Sequence, residues 1–133
     1  MNPVALVAAA IASVVIGFVW YGPLFGKKWA NLAGMKMDKN DPKMKSKMMT
    51  SMGGMLLVSA ITAYVLSVLI GMMPTKDLMS GVMAGFWSWL GFVMPVQIGV
   101  VLWEGKKTEL FLLNTFHSLF SLEVMGAILA MMP

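Results

Sequence analysis

The sequence predicts an all-α integral membrane protein with four transmembrane helices. Hydrophobic residues make up 59% of the chain and charged residues only 12%, whereas soluble domains carry roughly 25% charged residues. Residues 1–26, 48–75 and 78–103 contain no charge, and the apolar segment 110–132 contains only Glu123. Each of these stretches is longer than the roughly 20 residues that a helix needs to cross a bilayer.

The helices are predicted at about 3–25, 51–73, 78–103 and 109–131, within a single domain covering residues 1–133. Lipid offers no hydrogen bonds to an exposed backbone, so each span should be helical. Neighbouring spans should form antiparallel hairpins, because the links at 74–77 and 104–108 are short. Asn2 and Pro3 are a favourable helix start without a basic leader, so the first span is expected to stay in the mature protein. The alternative of a soluble protein with buried helices is disfavoured, because too little polar sequence remains to cover a core.

The lysines predict the orientation. Those of the Lys/Met-rich segment 26–50, together with Lys106 and Lys107, fall on one side, whereas the other side has only Lys76. The positive-inside rule therefore predicts cytoplasmic loops at 26–50 and 104–108 and places both termini outside. It also explains the lysines without a nucleic-acid partner. Five of them are expected at the anionic membrane surface, namely Lys27, Lys28, Lys43, Lys45 and Lys47.

Methionine is abundant in segment 26–50. Asp41-Pro42 is a favourable helix start, from which an amphipathic helix could run into the second span along the membrane surface. One hypothesis is that the thioethers of Met35, Met37, Met44 and Met48 bind Cu(I). The alternative is that methionine acts as an adaptable apolar side chain, and no cofactor is predicted.

Small residues recur at helical spacing, which is typical of close helix packing in membranes. They recur in the first, second and third spans, respectively, as Ala5, Ala9, Ser13 and Gly17; as Ser59, Ala63, Ser67 and Gly71; and as Gly81, Ala84, Ser88, Gly91 and Pro95. Pro95 removes a backbone donor and is expected to kink the third helix.

Four motifs occur in order along most of the chain: WYGPLFGKKW at 20–29, LGF at 90–92, WEGKKTELFLLN at 103–114 and MGAIL at 125–129. Together they resemble the bacterial membrane family called domain of unknown function 1761. The resemblance implies a small four-helix membrane protein, and the bacterial inner membrane is its expected location. It also implies a polar or aromatic cluster where Asn114 and His117 stand, whereas Glu123 departs from the apolar residue expected there.

The fourth span carries most of the candidate site residues. Asn114 and His117 share one helix face, and both lie at a depth similar to that of Gln97, about 8–12 Å from the cytoplasmic end. A buried polar group needs a partner, so these three side chains are predicted to cluster. The cluster would either lock helices together or relay a proton or solute.

Glu123 falls on the opposite side of the same helix, beside Phe116 and Phe120. A carboxyl inside a span usually has a partner or faces a cavity, and Tyr64 is predicted at a similar depth. Glu123 is therefore interpreted either as a proton or cation site or as part of a subunit interface.

Two functions follow. No paired-carboxylate site, catalytic triad or multi-histidine metal site is recognisable, so the protein is predicted not to be an enzyme. The leading hypothesis is an accessory or structural membrane subunit, oligomeric by itself or within a larger complex. The alternative is a small homo-oligomeric channel or transporter using Glu123 and the cluster of Gln97, Asn114 and His117.

Overall fold

The computed structural model describes residues 2–33, 42–74 and 77–132, which are almost entirely helical. The elements follow one another along the chain. They are α1 (Pro3–Val19), a π-helical turn (Trp20–Leu24), α2 (Gly26–Ala33), α3 (Pro42–Gly71), α4 (Leu78–Ser88), a second π-helical turn (Trp89–Val93), α5 (Met94–Glu104) and α6 (Thr108–Met131).

Four helical segments are long and apolar enough to cross a membrane, which confirms the predicted fold class. They are Pro3–Leu24, Met49–Gly71, Leu78–Glu104 and Thr108–Met131. Their bounds lie within two residues of the predicted ones. The third span combines α4, the second π-helical turn and α5.

Segment 26–50 contains one helix that the sequence did not predict and the start of another that Asp41-Pro42 did predict. Helix α2 begins at Gly26, directly after the first span, and α3 begins at Pro42 and runs unbroken into the second span. Gly26 makes the first corner possible, since a Cβ at this position would lie 2.6 Å from the carbonyl oxygen of Tyr21. After that corner, nothing between Lys27 and Ala33 breaks a helix.

Helix α6 contacts all the other α-helices that the structure describes. The side chain of Met125 is almost fully buried, packed in a core that includes Ala9 and Ala63, which have no exposed area. The Ser59 hydroxyl donates to the Ser13 hydroxyl over 3.4 Å. The predicted small-residue faces of α1 and α3 therefore pack between helices, except at Gly71, which is exposed and meets nothing within 4 Å.

The third span behaves differently at its two ends. Gly81 and Gly85 are buried against α6, where a Cβ on Gly81 would overlap the carbonyl oxygen of Gly126 and one on Gly85 would overlap that of Leu122. This contact is the close backbone approach that glycines spaced by four residues allow in membranes. Gly91 and Pro95, the other end of the predicted packing face, are exposed.

The irregularity predicted at Pro95 takes the form of the second π-helical turn. The Met94 N–H reaches back five residues to the carbonyl of Trp89, so the helix widens just before the proline. At the opposite end of this span, Asp77 caps α4 by accepting hydrogen bonds from the Ser80 backbone N–H at 2.9 Å and from its hydroxyl at 2.6 Å. These bonds lower the pKa of Asp77.

Replacing Gly85 by Ala should destabilise the protein. The added methyl group meets the Leu122 backbone, which cannot rotate away, and overpacking of this kind costs about 1–3 kcal/mol. Gly99→Ala is the matched control, because a Cβ there meets nothing within 4 Å. Thermal unfolding in detergent should show a lower midpoint for Gly85→Ala and an unchanged or higher midpoint for Gly99→Ala. Equal midpoints would contradict the packing of α4 on α6.

Candidate functional site

Polar side chains from three spans meet near the end of the bundle that carries the exposed residues Lys27, Lys28, Lys106 and Lys107. We call this group the polar cluster. It consists of Tyr21 from the first span, Gln97 from the third, and Asn114, His117 and Ser118 from α6.

The first span joins the cluster through adjacent aromatic residues of its π-helical turn. The Tyr21 hydroxyl donates to Oδ1 of Asn114 over 2.6 Å, and Nε1 of Trp20 donates to the Leu113 carbonyl over 3.1 Å. Since the tyrosine proton goes to Oδ1, the amide NH₂ of Asn114 must point elsewhere. These bonds fix the first span to α6 at the lysine-bearing end.

His117 is enclosed by the same aromatic residues. Its ring centroid lies 4.9 Å from that of Tyr21 and 6.1 Å from that of Trp20. Its Nε2 faces Gly17, where an added Cβ would lie 3.4 Å away. This nitrogen is buried and has no hydrogen-bond partner among the residues that the structure describes.

The third span joins the cluster through Ser118. The Ser118 hydroxyl donates to the Asn114 carbonyl, and Nε2 of Gln97 donates to the Ser118 oxygen, each over 3.1 Å. The single serine proton is used on Asn114, so the end of the Gln97 amide that faces Ser118 must be its donor. The opposite end, Oε1 of Gln97, is buried without a partner within the described ranges.

The predicted meeting of Gln97, Asn114 and His117 is thus indirect. Tyr21 contacts both Asn114 and His117, whereas Gln97 reaches Asn114 only through Ser118. One turn beyond His117, the Ser121 hydroxyl is also buried without a partner in the described part of the chain. Buried polar atoms of this kind commonly hold an ordered water molecule.

A small pocket opens beside the cluster at the start of α6. It is lined by Gln97, Val100, Val101, Lys106, Leu110, Phe111 and Asn114 and has a volume of about 80 Å³. Sites for organic ligands usually measure about 300–1,000 Å³. The pocket therefore suits a few water molecules or a small ion better than an organic substrate.

Glu123 lies apart from the polar cluster, as its position on the helix predicted. It is half-buried, and no hydrogen bond or ion pair joins it to another described residue. Tyr64, the partner considered for it, is 54% exposed, and no hydrogen bond connects the two side chains. The structure therefore leaves the carboxyl of Glu123 without a partner inside the described protomer.

The remaining predicted positions lie partly outside the described residues. Met35 and Met37 fall in the range 34–41, which the structure does not describe. The backbone of α3 includes Lys43, Met44, Lys45, Lys47 and Met48, but their side chains are not described. Within the described ranges, no group of three or more His, Cys, Asp or Glu side chains is placed to hold a metal ion. The hypothesis of Cu(I) binding by methionine stays a prediction.

Sequence reasoning missed Tyr21, Trp20 and Ser118 as members of the cluster. Tyr21 precedes Lys27 by about as many residues as Asn114 follows Lys107. This equal distance from the lysines was the available signal that the two side chains lie at one depth. Trp89 was missed as well; its Nε1 donates to the Thr115 carbonyl over 2.9 Å.

Replacing Tyr21 by Phe should weaken the attachment of the first span. The change removes the donor to Asn114 and leaves a half-buried amide oxygen without its partner, which costs about 1–3 kcal/mol. Tyr64→Phe is the matched control, since the Tyr64 side chain is exposed and forms no hydrogen bond with described residues. Unfolding measurements in detergent should separate the two variants. A Tyr21→Phe protein as stable as the parent would show that this bond does not hold the bundle together.

Comparison with known proteins agrees with the resemblance found in the motifs. The family described as "Protein of unknown function (DUF1761)" matches residues 4–130, nearly the whole chain. No curated protein and no solved structure matches significantly. The matched range covers the four apolar helices except for Pro3 and Met131, and it contains every residue of the polar cluster. The chain belongs to the DUF1761 family.

Proposed function

We propose that the protein is a non-enzymatic subunit of an assembly in the bacterial inner membrane, where it has an accessory or structural role. One observation carries the proposal: the interior of the bundle is filled, whereas its outside is apolar. Ala9, Ala63 and Met125 close the centre, and large hydrophobic side chains are exposed on all four spans. Such a bundle presents a large apolar surface to lipid and to other helices, but it encloses little space for a substrate.

The buried polar side chains of α6 do not continue to its C-terminal end. Along α6, the last buried polar side chain toward the C-terminal end is Ser121, and the buried residues that follow it are Leu122, Met125, Gly126, Leu129 and Ala130. Ions and water need polar groups or a wide lumen to cross the apolar centre of a membrane. This apolar half argues against conduction through a single protomer.

A second candidate function is transport through an axis shared by several copies. It is favoured by the buried atoms without described partners, Gln97 Oε1, His117 Nε2 and Ser121 Oγ. It is also favoured by Glu123, since intramembrane carboxyls often serve ion or proton pathways. The two functions differ in whether the purified protein moves ions.

Reconstitution into lipid vesicles separates the two candidates. The subunit function predicts that proton and potassium flux stays at the level of protein-free vesicles. It also predicts that tagged protein extracted mildly from native membranes has a mass greater than one protomer. Flux that is lost in His117→Ala and Glu123→Gln but kept in Tyr64→Phe would establish transport instead. A solely monomeric protein in native extracts would also overturn the subunit function.

The orientation is part of the same proposal. Lys27, Lys28, Lys106 and Lys107 are exposed at one end of the bundle, and the positive-inside rule assigns this end to the cytoplasm. Alkaline phosphatase fused after Pro133 should therefore be active, and green fluorescent protein at the same position should be dark. The same reporters inserted in the lysine-bearing segment after Ala33 should give the reverse pattern. A fluorescent C-terminal fusion would contradict the orientation.

A further inference from the structure

One side of α6 is left uncovered by the other helices. It carries Leu112, Phe116, Phe120, Glu123, Ala127 and Met131, which we call the outer face of α6. Leu112, Phe116, Phe120 and Met131 are between 44% and 63% exposed, and Glu123 and Ala127 are half-buried. At about 100° per residue these six positions fall within a sector about 100° wide. They form one continuous surface along the whole helix.

Glu123 makes this surface different from an ordinary lipid-facing side. It lies well inside the span, between Phe120 and Ala127, and has no hydrogen bond or ion pair with the described residues. Lipid tails offer neither a donor nor an acceptor, and an isolated polar group in hydrocarbon is costly. We therefore expect the outer face to bind a partner that can form a hydrogen bond with the Glu123 carboxyl at this depth.

We propose that a second copy of this chain packs on the outer face of α6, with the two Glu123 carboxyls hydrogen-bonded to each other across a two-fold axis. The proposal rests on the subunit function, and it names one partner and the surface that binds it. It assigns Glu123 an interfacial role and leaves the polar cluster inside each protomer.

The choice of a second copy as the partner rests on the chemistry of Glu123, and symmetry brings the two carboxyls together. Copies inserted with the same orientation can be related only by an axis along the membrane normal, so each residue near that axis meets its own equivalent at the same depth. A neutral carboxyl is both a donor and an acceptor, so two of them satisfy each other. An ionised Glu123 would instead need a cation, and none of the four spans of this chain contains Lys or Arg.

The spacing of the outer face fits a long contact. Its residues follow one another at intervals of four, four, three, four and four. An 11-residue period stays nearly aligned along an undistorted helix, so two almost straight copies of α6 can touch over their length. Ala127 is small enough to let the backbones approach beside Glu123, and Phe116 and Phe120 would shield the polar pair from lipid.

Single-cysteine cross-linking tests the surface directly, because the chain contains no cysteine. Phe120→Cys in lipid vesicles should form a disulfide-linked homodimer on mild oxidation. Ile61→Cys is the matched control: it is 58% exposed and lies as far into its span as Phe120 does, but on α3. Equal yields at the two positions, or a product containing a different protein, would overturn the proposal.

The role of Glu123 is tested in the Phe120→Cys background. Glu123→Gln keeps both a donor and an acceptor and should preserve the dimer. Glu123→Leu removes both and should weaken dimerisation about tenfold, the size of a hydrogen-bonded pair between membrane helices. Thermal unfolding of each variant checks that it folds. Loss of the dimer in Glu123→Gln would overturn the hydrogen-bonded pair, and so would an undiminished dimer in a folded Glu123→Leu.

The two proposals fail in distinguishable ways. Ion flux by a cross-linkable dimer would overturn the structural function and leave the outer-face interface standing. A large native assembly that shows no ion flux and forms no Phe120→Cys dimer would overturn the outer-face interface and leave the structural function standing.

Discussion

The direct contact between the backbones of α4 and α6 is the constraint on which the rest of the bundle depends. Membrane helices gain little from hydrophobic burial against one another, so they associate through close packing and hydrogen bonds. Gly81 and Gly85 let α4 approach the carbonyls of α6 more closely than any other residue type would allow. With that side of α6 fixed, its remaining faces are available to α1, α3 and the polar cluster.

The two ends of the bundle are held by different forces. Toward the C-terminal end of α6, the contacts are made by small or apolar residues such as Gly126 and Leu129. Toward the lysine-bearing end, hydrogen bonds from Trp20, Tyr21 and Gln97 take over. Both π-helical turns stand where this second kind of contact begins, which agrees with the frequent occurrence of such turns at specialised positions in helices.

The spans and their bounds could be predicted from the sequence because they depend on the local absence of charge. The helix that starts at Pro42 could also be predicted, because its start is marked by a local signal, a cap residue followed by a proline. The partners within the polar cluster could not be predicted, because they depend on which helix faces which. Similar depth in the membrane predicted that Gln97 lies beside His117. In the structure, the rotation of the helices about their axes instead pairs Gln97 with Ser118 and places His117 against Tyr21. Gly85 was missed because neighbouring glycines and alanines fit more than one packing face, and only the tertiary structure distinguishes them.

The corner at Gly26 has a consequence for how the protein responds to its bilayer. Because the chain turns immediately after the first span, α2 cannot lengthen that span, and Trp29 is held edge-on against Tyr21 with ring centroids 5.4 Å apart. Aromatic and lysine side chains at such a corner anchor a protein to the headgroup layer. The lysine-bearing end is then tied to one surface, so a change in membrane thickness has to be accommodated at the other end, near Met72 and Met73, or by tilting of the whole bundle. The preference of this protein for membranes of one thickness over another would thus depend chiefly on how well its unanchored end fits the bilayer.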